Sequence, residues 1–344
     1  MAVNSDRSSE AAGALERALL GGRADLTRED VEADAHLSKE RARGLWRALG
    51  FVDAAPDQPM FSAADVDALR RTTTLAEDRL LDERVVNTLA RTLGQTMRRL
   101  AEAQVEILGD LMAHDEALVE LAKKDPEQAV SQVVEQTTEW LPELEALLVY
   151  AYRRHVLAAS QRVLAGVAGV TGEKPVVVGF CDIVNYTAVT RDMAGPDLAD
   201  LVETFESTAS DIVARSGGRV VKTLGDEVMF AADDPETGAE IGLALSEAFR
   251  IDESAALERL PTSVGEVRVG LAYGPALSHG GDLFGPVVNL ASRCTGVARP
   301  GRVVCERELA QALQDSPLVQ ATRLRTLRVR GYGHLAASAL RRRH

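Results

Sequence analysis

A glycine-rich stretch near the middle of the chain separates two halves whose apolar residues follow different periods. Three glycines and a proline fall within residues 166–175, a composition that predicts a linker. Before this linker, apolar residues recur every three or four positions, as they do in amphipathic helices. After it, short apolar runs typical of buried strands alternate with helical stretches. The sequence therefore predicts an all-α domain over residues 1–165 and an α+β domain over residues 176–344.

Length and composition exclude several classes of protein. The 344 residues suit two domains, and 46% hydrophobic with 26% charged residues is typical of a globular chain. The net charge of −13 argues against bulk attraction to nucleic acid or anionic lipid, so we expect no nucleic-acid partner. No apolar run approaches the roughly 18–20 residues that cross a bilayer, and the first 20 residues lack the pattern of a signal peptide. Three cysteines without metal-type spacing indicate thiols in a reducing cytosol, so we expect a cytoplasmic protein without stable membrane insertion.

Two long helices are expected in the first half, over residues 74–124 and 143–164. Pro126 and Pro142 set their limits, because proline forces the residue before it out of helical geometry. A stripe of apolar residues in the first helix is more typical of an ordinary core or a dimer seam than of a lipid-binding tunnel. The stripe comprises Val85, Leu89, Leu93, Met97, Leu100, Ile107, Leu108 and Leu111.

Residues 26–70 form a further unit, which resembles the helix-turn-helix of MerR-type regulators. Thr27 is a candidate helix N-cap, and Trp46 and Phe51 are candidate core residues. The second helix carries three basic residues, Lys39, Arg41 and Arg43. DNA binding would need a concentrated basic face, whereas Glu40 interrupts this one. A structural or protein-contact role is therefore favoured, and DNA binding remains the alternative.

The order of elements predicted after the linker is β-α-β-β-α-β with extra strands at the end. The first strand, residues 176–183, is a continuous apolar run, as expected for a strand buried on both faces. Two short strands then meet in a hairpin whose tip is Leu224-Gly225-Asp226. Predicted helices lie at residues 197–214, 235–249 and 286–297, and a final pair of strands at residues 322–340. This order is typical of an α+β sandwich with ferredoxin-like topology.

Two carboxylates stand where these strands end. Asp182 closes the first strand, and Asp226 lies at the tip of the hairpin. Hard oxygen ligands of this kind suit Mg²⁺ or Mn²⁺, which usually take one or two carboxylates and leave the other positions to water and substrate phosphates. Taken alone, an aspartate at a strand end is more often a turn former or a solvated surface residue.

Neighbouring polar residues favour the metal interpretation. Lys222 places a cation four residues before the second acid, and Asp282 follows later in the chain. Asn289 and Arg293 are four residues apart in a predicted helix and therefore lie on one face. An amide and a guanidinium projected together suit a ribose and a phosphate. A helix cap and a solvated arginine would explain either residue alone, but not the whole set.

Four separated blocks carry a resemblance to a known family. They are residues 180–187 (FCDIVNYT), 222–230 (KTLGDEVMF), 282–293 (DLFGPVVNLASR) and 329–333 (VRGYG). In order and spacing they resemble the catalytic domain of class III nucleotidyl cyclases, over about residues 176–340. The resemblance implies the ferredoxin-like class III cyclase fold in the second half and the conversion of ATP to 3′,5′-cyclic AMP and pyrophosphate.

The resemblance also assigns roles at the reacting end of the nucleotide. Asp182 and Asp226 would hold two Mg²⁺ or Mn²⁺ ions per active site, with the backbone carbonyl of Ile183 as a further ligand. Asn289 would orient the ribose. Arg293 would stabilise the charge that builds up on the α-phosphate.

At the other end of the nucleotide, Lys222 and Asp282 correspond to the pair that contacts the purine, which implies adenine rather than guanine. The family usually has a lysine near the final strand that binds the triphosphate. Arg330 occupies the matching position here, and Arg328 is the alternative. Arginine can bind phosphate through two parallel hydrogen bonds, so the role is compatible with this departure.

Family members build the site at a dimer interface, with the metal aspartates on one subunit and the other groups on its partner. Because this chain carries both sets, a homodimer with two equivalent sites is implied. Two other functions remain open. One is a DNA-binding or scaffold regulator that uses a cyclase fold as a sensor, and the other is a guanylyl cyclase.

The helical half is most simply a regulator of such a catalyst. Its layout is similar to actinobacterial cyclases whose helical N-terminal domain inhibits at neutral pH, and for which fatty acids have been implicated as ligands. A fatty acid ligand and regulation by pH are therefore expectations from this resemblance. His155, which follows Arg153 and Arg154, is the candidate switch because histidine changes charge between about pH 5 and 8. The alternative is a neutral surface or core histidine.

Overall fold

The computed structural model describes residues 13–34, 39–51, 55, 57–76, 81–167, 175–250, 265–325, 327–329 and 333–343. The chain divides into two compact units, Met1–Gln161 and Arg162–His344. The first unit is helical, whereas the second is built on a seven-stranded sheet. None of the helices in the described ranges is both long and apolar enough to span a membrane.

A small core joins the first helices of the N-terminal unit. Within the described residues, residues 13–20 are helical, and the helices that follow are α1 (Arg28–Asp34), α2 (Lys39–Ala48), α3 (Ala63–Ala76), α4 (Glu83–Ala113), α5 (Glu116–Lys124) and α6 (Pro126–Val167). The core comprises Val31, Leu45, Ala48, Phe61, Val66, Leu69, Val86 and Ala90. Trp46 packs against it, as predicted. Phe51 touches the Trp46 ring but is 51% exposed, so its prediction as a core residue is wrong.

The start of α1 is capped as the sequence predicts. The Asp30 amide donates to the Thr27 hydroxyl at 3.3 Å, and the Thr27 amide donates to the Asp30 carboxylate at 2.8 Å. These reciprocal bonds satisfy amides that have no partner inside the helix. Just before the cap, Leu26 forms a β-bridge with Phe61, which ties the start of α1 to the start of α3.

Two basic residues of α2 contact acids within their own unit. Arg43 lies 3.9 Å from the Glu32 carboxylate, and Arg41 lies 3.6 Å from that of Glu83. A side chain held by an internal acid is less available to a phosphate. These contacts favour the structural interpretation of the helix-turn-helix-like unit.

The single helix predicted over residues 74–124 is wrong, because three helices share this stretch. Helix α3 ends at Ala76, and the side chain of Asp82 caps α4 by accepting from the Val85 amide at 2.8 Å. Asp115 caps α5 in the same way, accepting from two amides of its first turn. The apolar period continues across both breaks, so periodicity alone did not reveal them, whereas aspartate is a favoured N-cap residue.

Residues 143–164 are helical as predicted, but the predicted start after Pro142 is wrong, because α6 already begins at Pro126. Proline suits a first helical position, where its missing N–H costs no hydrogen bond, and Asp125 accepts from the Gln128 amide at 3.1 Å. Pro142 lies inside α6 and removes one internal hydrogen bond without ending the helix.

The apolar stripe predicted on α4 faces outward in the single chain. The buried face of α4 carries Val86, Ala90 and Gly94 instead. A Cβ atom at Gly94 would lie 2.1 Å from the Leu49 carbonyl oxygen, so this glycine lets the end of α2 approach α4 closely. Four stripe residues are more than half exposed: Leu89, Leu93, Ile107 and Leu111. Within one chain these four residues are therefore not core, contrary to one of the two predicted roles, whereas the other four members of the stripe are half-buried.

The second unit has the predicted β-α-β-β-α-β order. Its strands are β1 (Pro175–Ile183), β2 (Arg219–Thr223), β3 (Glu227–Ala232), β4 (Val267–Pro275), β5 (Leu277–His279), β6 (Asp282–Phe284), β7 (Arg302–Glu306), β8 (Val319–Arg323), β9 (Leu327–Val329), β10 (Gly333–Leu335) and β11 (Ala337–Arg342). Its helices are α7 (Tyr186–Val189), α8 (Gly195–Arg215), α9 (Pro235–Ala248), α10 (Pro286–Val297) and α11 (Arg307–Ala312). In the part of the chain that is described, four strands follow residue 318, where the sequence predicted two.

The main sheet has the order β2-β3-β1-β4-β7-β11-β8. Strand β1 runs antiparallel to both of its neighbours, and the order of β1 to β4 is that of a ferredoxin-like unit whose crossovers are α8 and α9. The predicted fold class is therefore confirmed. The cysteines are free and buried: Cys181, Cys294 and Cys305.

The two faces of the sheet are covered by different helices. Cys181 of β1 packs in one core with Phe205 of α8, whereas Phe180 packs in another with Val287 of α10. Because side chains alternate along a strand, Asp182 projects to the same face as Phe180, the face that α10 covers. The end of β1 thus places a carboxylate beside α10.

Candidate active site

The tip of the β2–β3 hairpin is held against the end of β1 by backbone hydrogen bonds. The Leu224 amide donates to the Glu227 carbonyl at 2.8 Å, and Gly225 adopts a φ of 70° that favours glycine. The Ile183 amide donates to the Asp226 carbonyl at 3.0 Å. These bonds bring Asp226 next to the strand that carries Asp182, as the sequence predicted.

Three charged residues form a row across the central strands. Asp182 of β1 is the partner of Glu227 on β3 and of Arg268 on β4. The bond from Ile183 to Asp226 makes Asp182 and Glu227 a non-hydrogen-bonded pair, the arrangement in which facing side chains approach most closely. On the other side, Arg268 Nε donates to Asp182 Oδ2 at 2.5 Å. Asp182 is 8% exposed.

Burial and like charges raise the pKa values of these acids. Burial raises the pKa of Asp182, Arg268 opposes the rise, and the Asp226 carboxylate adds to it. Burial also raises the pKa of Glu227 to about 7, with further contributions from the charges of Asp182 and Asp226. The carboxylates of Asp182, Asp226 and Glu227 therefore repel one another when they are ionised, and a cation would stabilise them.

Lys222 and Asp282, 60 residues apart, form an ion pair in which Lys222 Nζ lies 2.5 Å from Asp282 Oδ2. Asp282 begins β6, the second strand of a small hairpin with β5, and its other oxygen accepts from the Leu283 amide at 2.7 Å. Burial alone would raise the pKa of Asp282, but the bonds from Lys222 and Leu283 hold it below its usual range. The predicted pair is thus in contact, charged and partly open to solvent.

Helix α10 presents the predicted amide and guanidinium to solvent. Asn289 and Arg293 are both exposed, on the face opposite its buried residues. The helix lies very close to β4. A Cβ atom at Gly270 would fall 2.0 Å from the Thr295 amide nitrogen, which shows how near the two elements approach. Within the described residues, no hydrogen bond or ion pair joins Asn289 or Arg293 to Asp182 or Asp226.

The carboxylates near β1 fit a Mg²⁺ or Mn²⁺ ion whose remaining ligands come from elsewhere. Among the described residues, no three His, Cys, Asp or Glu side chains surround a common cation position. Asp182 and Asp226 lie close enough for the charge of one to raise the pKa of the other. Magnesium usually takes one or two carboxylates together with water and phosphate oxygens, so two aspartates and the Ile183 carbonyl form a chemically suitable set.

The structure does not describe every predicted residue. Arg330 lies outside the described residues, and Arg328 belongs to β9, of which only the backbone is described. His155 is exposed on α6, beside the exposed Arg153 and Arg154. In the part of the chain that is described, His155 has no hydrogen bond or ion pair.

Sequence reasoning missed Arg268 and Glu227. Arg268 stands within a strand, where nothing marked it as special, and only the register of β4 against β1 places it beside Asp182. Glu227 follows Asp226 directly, so strand alternation from the hairpin tip was the signal that could have placed it on the face of Asp182.

Comparison with known proteins agrees with this architecture. Residues 170–341 match the adenylate and guanylate cyclase catalytic domain. An adenylate cyclase of Streptomyces coelicolor is 40% identical over 89% of this chain and 77% of its own length, and one of Glutamicibacter nicotianae is 34% identical over 93% and 80%. The pH-sensitive adenylate cyclase MT1302 of Mycobacterium tuberculosis is 32% identical over 85% and 71%. The chain thus belongs to the adenylate and guanylate cyclase family, the class III nucleotidyl cyclases, and is an enzyme of that family.

Proposed function

We propose that this protein converts ATP to 3′,5′-cyclic AMP and pyrophosphate. The observation that carries the proposal is the contact of Lys222 with Asp282, because it places a donor and an acceptor side by side at a partly open position. The adenylate cyclases of Streptomyces coelicolor and Glutamicibacter nicotianae, which match most of this chain, support the same activity.

The chemistry of this pair favours adenine over guanine. The Asp282 carboxylate can accept a hydrogen bond from the exocyclic amino group of adenine, and Lys222 can donate to the ring acceptor N1. Guanine presents an oxygen acceptor and an N–H donor at those positions, so each protein group would face a mismatched partner. Leaving such groups unpaired is costly, which is why polar sites discriminate strongly. Guanylyl cyclase activity is therefore the less favoured alternative.

The reaction joins the ribose 3′ oxygen to the α-phosphorus in line with the bond that breaks, and pyrophosphate leaves. The 3′ proton is released to water or to a substrate oxygen. Two Mg²⁺ or Mn²⁺ ions would lower the pKa of the 3′ hydroxyl and offset negative charge on the phosphates. Asp182, Asp226 and the Ile183 carbonyl would hold them.

The remaining roles would fall to residues later in the chain. Asn289 would orient the ribose, and the Arg293 guanidinium would stabilise charge at the α-phosphate. Arg330, or Arg328 in its place, would bind the triphosphate. Because Arg293 has a donor fork that matches phosphate oxygens, lysine would replace it poorly.

A homodimer would complete the site. The exposed positions of Asn289 and Arg293, without a described contact to Asp182 or Asp226, are compatible with groups that act on a site of the partner. The exposed apolar stripe of α4 provides further surface that a second copy could cover. We therefore propose two equivalent sites per dimer, each with aspartates from one protomer and Asn289 and Arg293 from the other.

We further propose that the helical unit regulates the enzyme in response to pH, in the cytoplasm. The likeness to a pH-sensitive adenylate cyclase supports this role, and the exposed His155 beside Arg153 and Arg154 remains the candidate switch. A fatty acid ligand is not supported. In the described part of the unit, the cavity beside Trp46 encloses about 20 Å³, room for about one water molecule, and a larger groove on α6 is lined by polar residues.

The base-contacting pair can be tested by substitution. Lys222→Ala and Asp282→Ala should each lower the ratio of kcat/KM for ATP to that for GTP by about tenfold or more, because one polar contact to the base is lost. Arg219→Ala is the matched control, since Arg219 forms a 3.1 Å ion pair with Asp233 at the other end of the same hairpin. An unchanged ratio in both site variants would contradict the assignment.

A further inference from the structure

The positive charge of Arg268 lies where a metal cation would be expected to contact the Asp182 carboxylate. The two residues are register partners on neighbouring antiparallel strands, and Arg268 Nε donates to Asp182 Oδ2 at 2.5 Å. Both side chains project to the face covered by α10, so their contact follows from the strand register. Within the described residues this is the one ion pair that Asp182 forms.

The ion pair stabilises a carboxylate that the fold has removed from water. The side chain of Asp182 is 11% exposed, and burying an unpaired charge of this kind is strongly unfavourable. The carboxylate of Glu227 on the neighbouring strand adds repulsion whenever it is ionised, because like charges directly opposite one another destabilise a sheet. Arg268 supplies the positive charge that this arrangement needs.

A divalent cation would compete with Arg268 for the Asp182 carboxylate. A metal ion needs a lone pair of the same carboxylate, and two positive charges a few ångströms apart repel strongly in a partly buried setting. Of the two partners, Arg268 is the one with freedom to move. Its side chain is 39% exposed, whereas Asp182 is fixed in the middle of the sheet between β3 and β4.

We propose that Arg268 is an internal counter-ion of the metal site. In the enzyme without metal, Arg268 forms the ion pair with Asp182, and the divalent cation replaces Arg268 when it binds. The inference rests on the proposed role of Asp182 as a metal ligand. Arg268 then acts as a positioning residue that lowers the affinity for metal in the absence of nucleotide and holds the Asp182 carboxylate in place until the cation arrives.

The test measures Mn²⁺ binding by the full chain without nucleotide, from the electron paramagnetic resonance signal of free Mn²⁺. Arg268→Gln should lower the Kd for Mn²⁺ about tenfold, because it removes the positive charge that competes with the ion for Asp182. Arg302→Gln is the matched control, because Arg302 is the register partner of Arg268 on β7 and is exposed. It should leave the Kd near that of the unaltered protein. Unchanged or weaker binding in Arg268→Gln would overturn the proposal.

A second measurement does not depend on how well Arg268→Gln folds. The Nε–H resonance of Arg268, assigned by its loss in Arg268→Lys, should move when Mg²⁺ is added to the unaltered protein, because the ion pair is broken. A resonance that stays in place at saturating Mg²⁺ would overturn the exchange.

Asp182→Asn separates this inference from the proposed function. If Asp182→Asn binds Mn²⁺ as tightly as the unaltered protein, Asp182 is not a ligand, and both the inference and that part of the proposed function fail. If Asp182→Asn weakens binding while Arg268→Gln changes nothing, only the counter-ion role of Arg268 is contradicted.

Discussion

The two units of the chain differ in how much apolar surface one copy covers. In the second unit, helices cover both faces of the sheet, and Phe205 and Phe230 are fully buried. In the first unit, Leu93 is 52% and Ile107 is 66% exposed along α4. A sheet between two helical layers can close its core within one chain, whereas a long single helix leaves an apolar face for another surface.

The largest expected contrast is in activity. Asp182→Ala, Asp226→Ala and Arg293→Ala should each lower turnover at least about a hundredfold, because each removes a charge that acts on the transition state. The circular dichroism spectrum should stay unchanged. Asp211→Ala, which removes an exposed carboxylate of α8, is the matched control and should retain activity. A site variant with full activity would break the assignment of catalysis to this unit.

The second-largest effect distinguishes an active site built by one copy of the chain from one shared by two copies. Mixing inactive Asp182→Ala with inactive Arg293→Ala should restore about a quarter of the original activity, because half of the dimers are mixed and each has one intact site of two. Cyclic AMP formation after subunit exchange measures this recovery. If exchange is verified and no activity returns, the shared-site model is wrong.

Substitutions of buried and of exposed apolar residues should differ in their effect on the free energy of unfolding. Phe205→Ala should lower the free energy of unfolding by about 3–5 kcal/mol, since it leaves a cavity in a closed core. Leu93→Ala should change the free energy of unfolding of a dilute, monomeric chain by less than about 0.5 kcal/mol. Urea unfolding of both variants measures the difference. A large cost of Leu93→Ala that grows with protein concentration would show that a second copy covers the stripe.

The smallest effect concerns pH. The pKa of Glu227 rises from 4.5 to about 7 on folding, so the folded state holds a proton that the unfolded chain has lost between these values. The free energy of unfolding of the metal-free protein should therefore decrease as pH rises through this window. Glu227→Gln should reduce that slope, because the amide cannot take up this proton.

Urea titrations in EDTA across this pH window measure the slope. Glu236→Gln is the matched control, because Glu236 is an exposed glutamate in the first turn of α9. It should keep the slope of the unaltered protein. Equal slopes for Glu227→Gln and the unaltered protein would contradict the raised pKa of Glu227.

Much of the second unit follows from its sequence because its signals are local. A continuous apolar run marks β1, and the Leu224-Gly225-Asp226 tip marks the hairpin. In the helical unit the same reasoning failed at the breaks. The apolar period continues through Asp115, so periodicity did not reveal that a new helix begins there. Pro142 is tolerated inside α6, so the proline did not mark a helix boundary.

Within the site, the sequence identified residues that motifs mark but not those that register alone brings together. Lys222 and Asp282 were predicted as a pair and are in contact. Arg268 reaches Asp182 only because β4 pairs with β1 in one register, a long-range property that a single sequence does not display. The side-by-side placement of Glu227, Asp182 and Arg268 could therefore be known only from the folded sheet.

The most direct test of the central claim is to identify the product that the full chain forms from equal concentrations of ATP and GTP with Mn²⁺. The assay is run at about pH 6 and at about pH 8, two values that bracket histidine titration. The account predicts cyclic AMP and pyrophosphate in equal amounts, with cyclic GMP as a minor product. Cyclic GMP as the main product, or no cyclic nucleotide at either pH from a folded dimer, would contradict it.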